Sequence, residues 1–274
     1  MNLPITDASA NKPPPPSAPG VQSGPISRSP EEVIGSVLRR LPQNGLVMTT
    51  SFGMEGAALL EMLYQANLPV RVAWIDTDFH FEETYELIRR VQARYSRLVF
   101  ERFSPALSPQ EQARVYGEAL WSRDPDRCCE IRKVEPLRHI LDTASVWITA
   151  LRRSQSPTRA GIEHVMWDWQ HNVLKVSPLA DWSREQVWEF IQSHGVPFNP
   201  LHERGYPSIG CTHCTKPVAG AGPADYTRQG RWQGTGKTEC GLHGRYPAPG
   251  HPASAATPDL QHAGERNRNT PGSA

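Results

Sequence analysis

The sequence predicts an α/β fold, a doubly wound and mostly parallel sheet, and three observations predict it. Short apolar runs of strand type alternate with amphipathic helical runs between Ser29 and Gly195. Helical runs begin after Ser29, Ser108 and Ser183, each followed three residues later by Glu or Gln, the capping-box signature. A turn of small residues, Ser51 to Gly56, joins the first strand to the next helix. In such sheets ligands sit at the carboxyl ends of the strands.

The elements follow in order. Ser29-Pro30-Glu31-Glu32 opens a helix whose Val33, Ile34, Val37, Leu38 and Leu41 recur at helical spacing, and Pro42 and Gly45 stop it. Leu46 to Thr50 reads as a buried strand. The turn after it places backbone N–H groups and a helix N-terminus where an anion could bind. It lacks the Gly-Lys-Ser/Thr ending of a Walker loop, so taken alone it reads first as an ordinary strand-helix turn. Val70 to Ile75 is a second strand ending at Asp76-Thr77-Asp78, and a helix spans Phe81 to Arg94. Leu98 to Phe103, Val146 to Ala150 and Leu174 to Leu179 complete the strands. The loop after the fourth carries Arg152, Arg153 and Arg159, either an oxyanion site or a solvated basic loop.

The ends read differently. Residues 1–28 and 244–274 are rich in Pro, Ser, Ala, Gly and Asn and are expected to be a disordered leader and tail around a folded unit of residues 29–243. The whole chain has 274 residues, 38% hydrophobic and 21% charged, with a net charge of +1. These values fit a soluble globular protein, not a nucleic-acid binder, and no run of about 18 apolar residues suggests a membrane span. No secretory signal is recognisable, so the expected compartment is the cytoplasm, where thiols stay reduced.

Five cysteines carry the chemistry. Cys128-Cys129 and Cys211-Thr212-His213-Cys214 supply four thiols in two groups. Zinc would accept four thiolates tetrahedrally. Adjacent cysteines chelate a single small ion poorly, whereas an iron–sulfur cluster takes one thiolate at each corner, so the spacing favours the cluster. Two disulfides rank last. Cys240 stands apart within Lys237 to His243. Its basic neighbours would favour the thiolate of a nucleophile, although a stray thiol in a tail would look the same.

The order and combination of these stretches resembles the adenylyl-sulfate and phosphoadenylyl-sulfate reductase family, and within it the assimilatory adenylyl-sulfate reductases. The matching residues are Cys128-Cys129 with Ile131 to Leu137, Ile148 to Ser156, Pro200 to Thr215, Arg228 to Trp232 and Lys237 to His243, within residues 46–243. The resemblance implies an adenine-nucleotide α-hydrolase-like (PP-loop) sheet and one 4Fe–4S cluster on Cys128, Cys129, Cys211 and Cys214. It implies that Cys240 attacks the sulfur of adenosine 5′-phosphosulfate, releasing AMP and leaving an S-sulfonate. Thioredoxin or a glutaredoxin-like dithiol would then release sulfite, as in sulfate assimilation and cysteine biosynthesis. Ser51, Phe52, Gly53 and Glu55 match the nucleotide loop. Lys133, Arg159, Arg228, Arg231 and His243 match binders of the phosphosulfate. Gly56 and Ala150 depart from the family, which usually has an acidic residue and a glycine there. The 3′-phosphorylated nucleotide is the alternative substrate, and a non-catalytic iron–sulfur nucleotide sensor the alternative function. Assembly into a homo-oligomer is left open.

Overall fold

The computed structural model of the chain describes residues 28–41, 43–221 and 230–244. The expected leader up to residue 27, the expected tail from residue 245, Pro42 and Arg228 lie outside the described residues. Six strands form one sheet: β1 (Leu46–Thr49), β2 (Arg71–Ile75), β3 (Val99–Phe103), β4 (Val146–Ile148), β5 (Val165–Asp168) and β6 (Val173–Val176). Their spatial order is β3-β2-β1-β4-β6-β5. All neighbours pair in parallel except β5, which closes one edge antiparallel to β6. The predicted fold class is therefore the observed one. The sequence reading missed only the edge strand β5, whose residues are in part half-exposed and give no clean alternation.

Helices cover both faces because the strands alternate. Leu46 and Met48 of β1, Val72 and Trp74 of β2, and Val146 and Ile148 of β4 point to one side. There they pack against α2 (Met54–Gln65) through Leu59, Leu60 and Leu63, and against α3 (Glu82–Arg94) through Leu87, Ile88 and Val91. Val47, Ala73 and Trp147 point the other way, onto Leu137, Ile140 and Leu141 of a later helix. No helix among the described residues is long and apolar enough to cross a membrane.

All three capping boxes form. Ser29 precedes α1 (Pro30–Glu32), Ser108 precedes α4 (Pro109–Tyr116), and Ser183 precedes the carboxyl-terminal helix Arg184–Ser193. In each, the serine hydroxyl and the third helical side chain satisfy one another's backbone N–H. The first expected helix is irregular. After α1 it widens over Val33–Val37 and tightens over Leu38–Arg40, and the wide turn holds Gly35, a poor helix former. After α5 (Leu120–Arg123) come α6 (Pro125–Cys129), which ends on the tandem cysteines, a wide turn at Glu130–Val134, and α7 (Glu135–Asp142). Pro136 follows that turn. Its ring would crowd the carbonyl four residues back in a regular helix, and the wider turn makes room. The helix Arg184–Ser193 is α8, packed on α2.

The strand order reverses between β1 and β4. From β1 the chain builds outward through β2 and β3, then returns to place β4 on the other side of β1. The crevice at this switch point is where an open α/β sheet takes its ligand.

Candidate active site

β1 ends at Thr49 and the chain turns through Thr50-Ser51-Phe52-Gly53 into α2. Thr50 Oγ1 accepts the backbone N–H of Phe52 at 3.0 Å, and Phe52 adopts a left-handed conformation with φ of 57°. The Phe52 ring is buried edge-on to Trp74, with centroids 5.8 Å apart. Phe52 thus anchors the loop in the core and does not border the crevice, whereas Ser51, Gly53 and Glu55 do. Glu55 Oε1 accepts from Arg152 Nη2 and Arg184 Nη1, both at 3.0 Å. Burial pushes the Glu55 carboxyl up, but Arg184 and Arg152 outweigh it and hold the group at about 2. A carboxylate so neutralised can stand beside an anion site without repelling its occupant. Gly56 has a reason here. A Cβ at that position would lie 2.5 Å from Thr50 Oγ1, so the hydroxyl that holds the loop fills the space an acidic side chain would need.

The crevice has a volume of about 220 Å³. The ends of β1, β2 and β4 form its floor, and Lys133, Arg159, Arg231, Cys240 and His243 border it. Five site residues expected from the sequence are therefore gathered from four separate stretches of chain.

The carboxyl-terminal arm closes one side. Arg231 pairs with Thr215 in an isolated antiparallel bridge and donates to Ser208 Oγ at 3.3 Å. Lys237 forms an ion pair with Asp126 at the start of α6. Glu239 accepts from Arg159 Nη2 at 3.0 Å, Thr158 Oγ1 at 3.1 Å and Ser156 Oγ at 3.2 Å. Gly241, with φ of +87°, makes a turn against Val134 that a side chain would strain. Leu242 packs on the α7 side of the sheet, and His243 stacks on Trp147 at 5.0 Å. The arm is docked, with Cys240 in the crevice.

Burial would push the Cys240 thiol up. The charge of Lys133, the Leu242 backbone N–H and the charge of Arg159 prevail, and the thiol lies below its ordinary range. Burial alone would likewise lower Lys133, but the sulfurs of Cys211, Cys129 and Cys240 raise it, so its ammonium stays charged. His243 is held well below its ordinary value by burial and by Lys175 and Arg159, and is neutral.

The remaining cysteines lie beside this centre. All five are free thiols. Burial pushes Cys128 up to about 12, and Cys129, Cys211 and Cys214 add to the rise. Burial also raises Cys129 and Cys214. The Thr77 hydroxyl lies 3.4 Å from Cys211 Sγ, and Gln112 Nε2 lies 4.0 Å from Cys128 Sγ. Among the described residues, no group of three or more His, Cys, Asp or Glu side chains is placed to hold a metal ion. The donor set is four soft sulfurs from two segments, close enough to shift one another's protonation. That chemistry fits an iron–sulfur cluster.

Of the three arginines after β4, only Arg159 reaches the crevice. Arg152 is committed to Glu55, and Arg153 pairs with Asp181 and donates to the Ile162 carbonyl. The sequence reading missed Glu239, Gln155 and Lys175. Gln155 Oε1 accepts from Arg159, and Lys175 Nζ lies 3.3 Å from His243 Nδ1. The spacing of Gln155 from Arg159, one helical turn, was the only local signal. The other two pairs join distant stretches.

The chain matches the phosphoadenosine phosphosulfate reductase domain over residues 45–217. It is 50% identical over 198 residues to a protein of Shouchella clausii named adenosine 5′-phosphosulfate reductase, covering 72% of this chain and 81% of that one. A Lysinibacillus sphaericus protein of the same name is 46% identical over 200 residues, covering 73% and 84%. Among solved structures, a phosphoadenylyl-sulfate reductase from Candida auris in a phosphate complex superposes with a TM-score of 0.60 and 31% identity, over 70% of this chain and 92% of that one. An FMN adenylyltransferase from Candida glabrata, 16% identical with a TM-score of 0.51 over 70% and 62%, shares the fold. The chain belongs to the phosphoadenosine phosphosulfate reductase family.

Proposed function

We propose that this member of the family reduces adenosine 5′-phosphosulfate to sulfite and AMP, with Cys240 as nucleophile. The observation that carries the reading is a thiol with lowered proton affinity, set in the switch-point crevice beside Lys133 and Arg159. The Cys240 thiolate attacks the substrate sulfur. The Sγ–S bond forms, the S–O bond to the nucleotide breaks, and AMP departs with the electron pair. Lys133, Arg159, Arg231 and His243 hold the phosphosulfate and stabilise the negative charge on the leaving phosphate, and Arg228 is assigned with them from its sequence position. Ser51 and Gly53 contribute the nucleotide loop, with Phe52 and Glu55 fixing its shape. A dithiol of the thioredoxin or glutaredoxin class then attacks Cys240 Sγ and releases sulfite. Its second thiol resolves the mixed disulfide and restores the Cys240 thiol, so the dithiol supplies both electrons.

Cys128, Cys129, Cys211 and Cys214 would hold a 4Fe–4S cluster. Bound there, it would supply four metal–thiolate bonds that tie α6 to the Cys211–Cys214 loop. Residues 29–243 form the catalytic unit in this reading. The 3′-phosphorylated nucleotide, named for the Candida auris structure at 31% identity, is disfavoured by the name of the relatives at 50% and 46% identity, and kinetics on both nucleotides decide.

The test is incubation with sulfur-labelled adenosine 5′-phosphosulfate without reductant, followed by peptide mass analysis. A sulfonate on Cys240 is expected. Label on another residue, or sulfite production by Cys240→Ser with thioredoxin, would overturn the mechanism. Visible iron–sulfur absorbance should disappear in Cys214→Ser, and zinc in the purified protein would refute the cofactor.

A further inference from the structure

The end of the arm rests on a buried ionic group. Lys175 of β6 has no exposed surface, and Asp168 of the neighbouring strand β5 is also buried. Lys175 Nζ donates to Asp168 Oδ2 at 3.0 Å. The other Asp168 oxygen accepts the His171 backbone N–H at 3.1 Å and meets His171 Nδ1 at 3.0 Å. The Lys175 ammonium also sits 4.2 Å over the Trp147 ring, the ring on which His243 stacks. Lys175 Nζ then lies 3.3 Å from His243 Nδ1.

This geometry decides a tautomer. Burial lowers the Lys175 amine to about 8 against the pull of Asp168, so at pH 7 and below it is an ammonium, with donors and no acceptor. A neutral imidazole facing it through Nδ1 must present a lone pair there, so its proton is on Nε2. Burial and the Lys175 and Arg159 charges keep the ring neutral. The alternative tautomer would set N–H against N–H at Lys175 and leave Nε2 as a lone pair. A lone pair repels the oxygens of an anion, whereas Nε2–H donates to them.

We infer that Lys175, anchored by Asp168, is a positioning residue that fixes His243 as the Nε2–H tautomer and so makes it a donor to the substrate's anionic oxygens. The part concerning substrate rests on the proposed reductase function; the tautomer does not. Trp147 fixes the plane of the ring, and Lys175 fixes which nitrogen carries the proton. A buried lysine is costly, and its retention under the arm has a use on this account.

The test is a two-bond proton–nitrogen correlation spectrum of the full chain labelled with ¹⁵N-histidine, with His243 identified by the signal lost in His243→Asn. The wild-type chain should give a lone-pair-type frequency for Nδ1 and an N–H-type frequency for Nε2. Lys175→Met should shift the signals towards the other tautomer and raise KM for adenosine 5′-phosphosulfate by about tenfold, the loss of one hydrogen bond to a charged group, with a smaller change in kcat. An N–H-type Nδ1 in the wild-type chain, or an unchanged signature in Lys175→Met, would overturn the inference. The wild-type spectrum decides even if the variant fails to fold. Failure to label Cys240 would sink the reductase reading and leave the tautomer assignment standing.

Discussion

Glu55→Gln should destabilise the chain in a pH-dependent way that isolates one buried cluster. The Glu55 carboxylate accepts from Arg152 Nη2 and Arg184 Nη1 at 3.0 Å and from Arg152 Nε at 3.2 Å. Burial opposes its ionisation, but Arg184 and Arg152 hold it at about 2, against an ordinary 4.5. At about 1.4 kcal/mol per tenfold change in proton affinity, that drop is worth about 3 kcal/mol. The folded value lies below the unfolded one, so the contribution is fully present above pH 4.5 and is lost as pH falls towards 2. By the same linkage about half should remain at about pH 3. Glutamine keeps the shape and removes the charge, which leaves two buried guanidinium groups poorly compensated. Removing one partner of a buried ion pair typically costs about 3–5 kcal/mol, in line with this figure. The assay is anaerobic urea unfolding followed by tryptophan fluorescence, comparing both proteins from pH 7 down to pH 3. A gap of about 3 kcal/mol at neutral pH that roughly halves at about pH 3 is expected. A gap below about 0.5 kcal/mol at pH 7, the size of an ordinary surface effect, would refute the reasoning, as would one that stays constant with pH.

Three further outcomes follow from the site. Gly56→Ala should cost about 1–3 kcal/mol, because its Cβ would meet Thr50 Oγ1 at 2.5 Å, and adding Thr50→Ala should recover part of the loss in thermal melting. Cys240 should alkylate with a pH midpoint below that of an ordinary cysteine thiol, followed by mass analysis of its peptide, and Lys133→Met should move that midpoint up, since the Lys133 charge is the largest influence lowering it. Glu239→Gln should make the arm more sensitive to limited proteolysis, because three donors now meet a neutral amide; identical digestion rates would count against the docking account.

The legible parts of the sequence were those that local physics decides. Ser29, Ser108 and Ser183 each mark a helix start because a capping box is complete within four residues. The central strands β1, β2 and β4 read clearly because burial on both faces makes them largely apolar runs. Edge strand β5 escaped because Val165 and Met166 are half-exposed. At the site, Cys240, Lys133 and Arg159 were named from the sequence and share the crevice. The division of labour among the three loop arginines was invisible. Arg152 finds Glu55 97 residues away, and Arg153 finds Asp181, both through the fold. Lys175 was hidden for the same reason. In sequence it is a polar interruption in an apolar strand, and its purpose appears only when Asp168, Trp147 and His243 meet around it.

The Glu239 contacts bear on how the arm works. Arg159 borders the crevice and is assigned to the phosphosulfate, yet in the docked arm it holds the Glu239 carboxylate together with Ser156 and Thr158. A carboxylate and a sulfate oxygen present the same acceptor geometry to a guanidinium. Arg159 has two nitrogen ends, and one is occupied by Gln155. Each Nη carries two N–H groups, so substrate that claims Nη2 either takes its second N–H alongside Glu239 or displaces Glu239. Displacement would weaken one of the ties on the segment bearing Cys240, leaving Lys237–Asp126 and the His243 stack to hold it. In the proposed reaction, the S-sulfonate on Cys240 then has to reach an external dithiol outside the crevice. On the proposed mechanism, an arm held by several individually modest contacts, one of them in competition with the substrate's own charge, would dock for attack and release for reduction without unfolding any part of the sheet.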